Sequence, residues 1–219
     1  MGLLFELGPC TIANEGENTT VNDHGWNTYS NLLFLDQPAD VGYSYSSGGV
    51  PVDNSPVAAE DVYAFLQLFL SRYPEYESAP FHVAGESYGG TYVPHIVSEI
   101  HRRNKKLDVS DGGSPSTLRK DLKKIHLESV ILANGLTDPY VQFGKIPEYA
   151  CEGPYALFKR GSPECDSLRE KARTCQRLIQ NCYDFQSRLT CLPPTHYCTN
   201  QLFEPFSSQC QSIAYVNLL

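Results

Sequence analysis

Phe81-His82-Val83-Ala84-Gly85-Glu86-Ser87-Tyr88-Gly89-Gly90 decides the fold. Four residues of strand character run directly into Gly-x-Ser-x-Gly. Beyond it, Val93, Ile96, Val97 and Ile100 recur at helical spacing. A chain that passes from strand to helix in so few residues must turn sharply. The reading expects the flanking glycines to avoid a clash with neighbouring backbone. It expects Ser87 to be held in a strained conformation with its oxygen exposed. The N-terminus of the following helix favours negative charge there, and the N–H of Tyr88 is placed to donate to an oxyanion.

Outward from this turn, Leu32-Leu33-Phe34-Leu35 and Val130-Ile131-Leu132-Ala133 are short apolar runs bounded by turn residues, and both read as buried strands. Ser55-Pro56 opens a helix with an apolar stripe of Val62, Phe65, Leu66 and Phe69, stopped by Pro74. Pro94 is tolerable only near the first turn of its helix. Lys105 to Lys124, with Gly112-Gly113-Ser114-Pro115, reads as an exposed charged loop. Continuous apolar strands alternating with helices predict an α/β domain whose parallel sheet is covered on both faces. The texture divides the chain into residues 1–150, which read as α/β, and residues 151–219, which read as short helices rich in cysteine followed by a divergent tail.

Seven of the eight cysteines lie between Cys151 and Cys210. None is spaced Cys-x-x-Cys, so disulfides fit better than zinc, and the reading assigns no metal. Disulfides imply an oxidising compartment. Asn18-Thr19-Thr20 is a glycosylation sequon that agrees with it. The apolar start, Met1 to Cys10, lacks a basic leader and contains Glu6 and Gly8-Pro9, so it does not read as a signal peptide. A net charge of −8 argues against nucleic acid and anionic membranes as partners.

Several stretches together carry a family resemblance. Gly85-Glu86-Ser87-Tyr88-Gly89-Gly90 with Tyr92-Val93-Pro94 resembles the active-site signature of the serine carboxypeptidases. Leu3-Leu4-Phe5-Glu6-Leu7-Gly8-Pro9, Trp26-Asn27, Leu35-Asp36-Gln37-Pro38-Ala39-Asp40-Val41-Gly42-Tyr43-Ser44-Tyr45-Ser46 and Asn134-Gly135-Leu136-Thr137-Asp138-Pro139 resemble further segments, in the family's order. The likeness is to the fungal vacuolar members. It implies a partial α/β-hydrolase fold with an incomplete, mostly parallel sheet and a disulfide-rich helical insertion.

The resemblance implies that Ser87 attacks a peptide carbonyl to form an acyl-enzyme, without cofactor, and releases the C-terminal amino acid of a peptide or protein. By the same resemblance Glu6 and Glu86 hold the substrate's terminal carboxylate. Two ionised glutamates would repel that carboxylate, so a shared proton is required and binding is expected to favour acid pH. Tyr88, Leu136 and Phe143 correspond to one side-chain pocket and Phe5 to the leaving-residue side. The cysteines correspond to the pairs Cys151–Cys165, Cys175–Cys198 and Cys182–Cys191, leaving Cys10 and Cys210 over. The implied location is a vacuole-like compartment or the secretory route.

The resemblance also sets an expectation about extent. The family's oxyanion loop precedes Gly2, and its triad aspartate and histidine follow the insertion. The sequence therefore reads as an internal fragment, inactive by itself. His95, His101, His126, His196 and Asp138 are not nominated as replacements. Two other readings stand beside the peptidase: a carboxypeptidase-like acyltransferase, against which Glu6 with Glu86 argues, and a non-catalytic peptide-binding chain.

Overall fold

The strand–turn–helix order read around Ser87 has a concrete outcome. In a computed structural model that describes residues 2–49, 52–109 and 122–207, Phe81–Glu86 is a strand and Leu127–Ala133 pairs with it in parallel. Elements are numbered in chain order. They are α1 (Gly2–Phe5), β1 (Cys10–Ala13), β2 (Asn18–Val21), α2 (Ser55–Arg72), β3 (Phe81–Glu86), α3 (Gly89–Val109), β4 (Leu127–Ala133), α4 (Pro139–Glu152), α5 (Pro163–Asp184), α6 (Arg188–Cys198) and α7 (Glu204–Ser207). A π-helical turn, Thr199–Phe203, joins the last two.

The described residues gather into two units, Met1–Val62 and Tyr63–Leu219, and the division falls inside α2. In the first unit β1 and β2 form an antiparallel hairpin. Its tight connection places Asn14, Glu15 and Gly16 at positive φ. The run Leu32–Leu35, expected as a buried strand, is not one. It has no paired neighbour among the described residues, and Leu33 and Phe34 are exposed. An apolar run states a preference for burial, but a strand also needs a partner for its backbone groups.

The second unit holds the elbow. α3 packs on β3 and β4, and its Val93, Ile96 and Ile100 are buried. α2 begins where expected, with the Asn54 side chain accepting the Val57 N–H as its cap. Its buried stripe is Ala58, Ala59, Val62, Tyr63, Leu66 and Leu70; Phe65 and Phe69 lie on its flank. Two side-chain amides hold the approach to β4. Gln67 of α2 exchanges hydrogen bonds with the Lys123 backbone, and Asn104 of α3 does the same with Ile125. Such pairs satisfy backbone groups that no strand reaches.

Three further expectations are corrected. Lys105 to Val109 is the last turn of α3 rather than loop; residues 110–121 lie outside the described residues. Pro94 is the sixth residue of α3, past the first turn, so the Gly90 carbonyl loses one helical donor. The sheet is not covered on both faces: Val130, Ile131 and Leu132 keep 44%, 41% and 42% of their surface exposed.

The cysteine-rich segment is built of longer helices than expected. α5 alone has 22 residues. Cys165, Leu168, Ala172, Cys175 and Ile179 form one buried stripe along it, at the i, i+3, i+7 spacing of an amphipathic helix. Pro163 follows the cap residue Ser162, and the side chain of Ser162 accepts the Cys165 N–H. The stripe meets Ile146, Ala150 and Cys151 of α4, Cys198 of α6 and Leu202. Disulfides join Cys151 to Cys165, Cys175 to Cys198 and Cys182 to Cys191. Cys10 is a free thiol in β1, and Cys210 lies outside the described residues.

Candidate active site

Ser87 sits between the end of β3 and the start of α3 with φ of 56°. A non-glycine residue in this left-handed region is held there by its surroundings, at a strain on the order of 1–3 kcal/mol. Those surroundings are visible. The Ser87 N–H donates to the Ala133 carbonyl at 3.1 Å. The Ser87 carbonyl accepts from Leu136 N–H at 2.8 Å and from Gly90 N–H at 3.1 Å. The residue is thus fastened on both sides while its side chain stays exposed. Among the described residues no side chain hydrogen-bonds the Ser87 hydroxyl, and no acceptor takes the Tyr88 N–H. That leaves a hydroxyl and one backbone donor free at a helix N-terminus, where negative charge is favoured.

The glycines divide differently from the expectation. A Cβ on Gly85 would lie 2.6 Å from Val93 Cγ2 and 3.0 Å from Gly89 Cα, so that position admits no side chain. A Cβ on Gly89 would meet nothing within 4 Å. The steric need on the helix side belongs to Gly90, whose Cβ would lie 2.6 Å from Gly135 C and Leu136 N. α3 begins so close to the loop after β4 that two glycine backbones touch.

The loop after β4 brings Leu136 to the elbow. Besides its N–H bond to Ser87, its carbonyl accepts the Thr91 hydroxyl at 2.7 Å. Leu136 is half-buried. Phe143 is placed otherwise: it packs against the disulfide-rich core, edge-on to Phe203 with centroids 5.1 Å apart. Glu86 is exposed at the end of β3, and Tyr88 is exposed and edge-on to Tyr92. Phe5 and Glu6 belong to the first unit, at the end of α1, and both are exposed. Asn22 pins that segment: its amide donates to the Glu6 carbonyl at 3.1 Å and the Gly8 carbonyl at 2.9 Å. Asn18, the sequon residue, is exposed at the start of β2.

The residues set aside as triad substitutes have other partners or positions. Asp138 caps α4, accepting from Tyr140 N–H and from the Tyr183 hydroxyl, both at 3.0 Å. Burial and the hydrogen bond to Asp138 hold the Tyr183 phenol above its usual range, so it stays a donor. His126 lies beside Ser78 and Glu128, and His95, His101 and His196 are exposed on helices. One further group supports α3. Burial raises the Glu99 carboxyl, but hydrogen bonds from Arg102 and Arg103 outweigh it and leave the group below the usual glutamate range. The Arg103 guanidinium also lies over the buried Tyr63 ring.

Asn22, Thr91 and Gln142 were missed by sequence reasoning. Gln142 accepts from the Asp138 N–H in the manner of a capping box, but stands four residues after the cap rather than three. A scan for the usual spacing passes over it.

Comparison with known proteins agrees with this geometry. A sequence model of the family described as Serine carboxypeptidase matches residues 1–217. Carboxypeptidase Y homolog A of Paracoccidioides lutzii is 41% identical over 209 residues, which is 94% of this chain and 34% of that protein. Carboxypeptidase Y of Komagataella phaffii is 40% identical over 205 residues, 94% of this chain and 35% of that protein. The chain therefore spans about a third of the length of the curated relatives it matches. Among solved structures, the prohormone-processing carboxypeptidase KEX1(delta)p of Saccharomyces cerevisiae superposes with a TM-score of 0.67 at 23% identity. The match covers 92% of this chain and 41% of that one, and it shows the fold. With a strained serine between a parallel strand and a helix, and a family match across almost its whole length, the chain belongs to the serine carboxypeptidase family.

Proposed function

We propose that this chain carries the nucleophile of a serine-type carboxypeptidase that releases C-terminal amino acids from peptides through an acyl-enzyme. The observation behind the proposal is Ser87, fastened at positive φ with its hydroxyl exposed and the neighbouring Tyr88 N–H free. In the reaction the Ser87 oxygen attacks the carbonyl of the last peptide bond. The Tyr88 N–H donates to the oxyanion, the C-terminal amino acid leaves, and water releases the acyl group. Glu86, beside the nucleophile, and Glu6 are assigned to the terminal carboxylate, and Phe5 and Leu136 to apolar recognition. A carboxylate bound beside Glu86 needs a proton between them, so release is expected to be faster in acid.

The hydroxyl of Ser87 has no base among the described residues, so the 219-residue chain is expected to be inert by itself. Residues 151–219 are assigned as an insertion in the hydrolase core that runs from residue 1 to 150. The three disulfides and the exposed Asn18 sequon favour a vacuolar or secreted setting.

The test grafts residues 1–219 in place of the matching segment of the Komagataella phaffii relative. Release of the C-terminal residue from a blocked dipeptide should appear in the graft and vanish in its Ser87→Ala form. Release that survives Ser87→Ala would overturn the assignment. Brisk turnover by the 219-residue chain alone would overturn its inertness.

A further inference from the structure

One side chain ties down the loop that follows β4. Gln142, at the end of the first turn of α4, accepts through Oε1 from the N–H groups of Thr137 at 2.9 Å and Asp138 at 3.0 Å. Through Nε2 it donates to the Gly135 carbonyl at 2.8 Å. Both ends of the carboxamide are used, which neither a carboxylate nor an apolar residue could reproduce. Gln142 is itself exposed, so core packing does not explain it.

The loop it holds is the one that holds Ser87. Leu136, between the Gln142 contacts at Gly135 and Thr137, donates its N–H to the Ser87 carbonyl at 2.8 Å. Thr91 closes the same junction from α3, and the Gly90 and Gly135 backbones are too close to admit a Cβ. Asp138 extends the chain of contacts, since its carboxylate takes the Tyr183 hydroxyl of α5.

We propose that Gln142 is a positioning residue for Ser87: by fixing residues 135–138 it keeps the Leu136 N–H on the Ser87 carbonyl and so keeps the hydroxyl aimed from its left-handed backbone. This rests on Ser87 being the nucleophile. Replacement by glutamate keeps two acceptors and sets a negative oxygen against the Gly135 carbonyl. Replacement by alanine removes all three bonds.

Amide hydrogen exchange of the 219-residue chain tests the contact without needing activity. In Gln142→Ala the Leu136, Thr137 and Asp138 amides should exchange at least about 10-fold faster than in the parent, while protected amides of α5 stay within about two-fold. Gln142→Glu, a second variant should the first fail to fold, should retain protection at Thr137 and Asp138 and lose it at Leu136. Lys145→Ala, on the same helix and paired with Glu148, should change none of them. In the graft, Gln142→Ala should lower kcat about 10-fold with KM within two-fold, and Gln142→Glu should recover part of the loss. Unchanged exchange at Leu136, acceleration spread equally through α5, or a graft in which kcat is unaffected would overturn the proposal. A parent graft without Ser87-dependent release would sink the functional reading instead, and the exchange data would still decide whether Gln142 holds the loop.

Discussion

In the helices from α4 to α7, Leu168 is 3% exposed and Leu202 fully buried; in β4, Val130, Ile131 and Leu132 keep more than two-fifths of their surface. Both regions carry apolar side chains, in one stripe of each helix and in a continuous run of β4, and both lie in the same unit of the molecule. The helices bury their stripes against one another and close the packing with three disulfides. The strand pair is covered by α3 on one side, and the carboxyl end of β4 stays open where the elbow begins. Hydrophobicity therefore measures how much cover a segment needs, while topology decides how much it receives. The helical region is stabilised by its own side chains, and the elbow region by backbone junctions such as Leu136 to Ser87.

The largest effect should come from the helical side. Replacing Cys175 and Cys198 together by alanine removes a link across 23 residues, for which chain entropy alone gives about 3.4 kcal/mol. The corresponding change at Cys182 and Cys191, 9 residues apart, should cost about 2.6 kcal/mol. Urea unfolding measures both, and equal or reversed values would contradict the entropic account. Next, Leu168→Ala should cost about 3 kcal/mol as a core truncation, and Leu132→Ala less than about 1 kcal/mol because its side chain is already half in water. Similar losses would erase the contrast between the regions. Third, Gly90→Ala should destabilise by about 2 kcal/mol through overpacking, while Gly89→Ala should be neutral or stabilise by a few tenths, since alanine favours a helix. The smallest effect concerns Glu99. Its folded carboxyl lies below the unfolded value, so its contribution is complete above the unfolded range near about 4.3 and is lost as pH falls through the folded value. Glu99→Gln should flatten that acid limb by no more than about 1 kcal/mol, read from unfolding midpoints between neutral and strongly acid pH.

The local signals were the legible ones. Strand, turn and helix around Ser87 follow one another within the chain, and a short strand-like run, two glycines and a helical stripe mark them without reference to anything distant. The same logic failed at Leu32–Leu35, where a strand needs a partner and none pairs with it among the described residues. The β1–β2 hairpin escaped because its strands have only four residues each, too short for the alternation of Cys10 and Ile12 opposite Val21 to stand out. Gly89 was credited with a steric duty that falls to Gly90, because the close neighbour is Gly135, 45 residues on. The roles of Phe5 and Glu6 came only through resemblance, since nothing in their local pattern points to chemistry. Phe143 shows the opposite limit: an aromatic residue near a binding segment by sequence packs against Phe203 in the helical core.

The central claim is that residue 87 presents a reactive oxygen at the end of β3. Treating the graft with a fluorophosphonate and locating the adduct by mass spectrometry of the digested protein tests it most directly. The account predicts one phosphonylated serine, Ser87, with the label lost in Ser87→Ala. A stable adduct on another residue, or an active graft that never labels at Ser87, would contradict it.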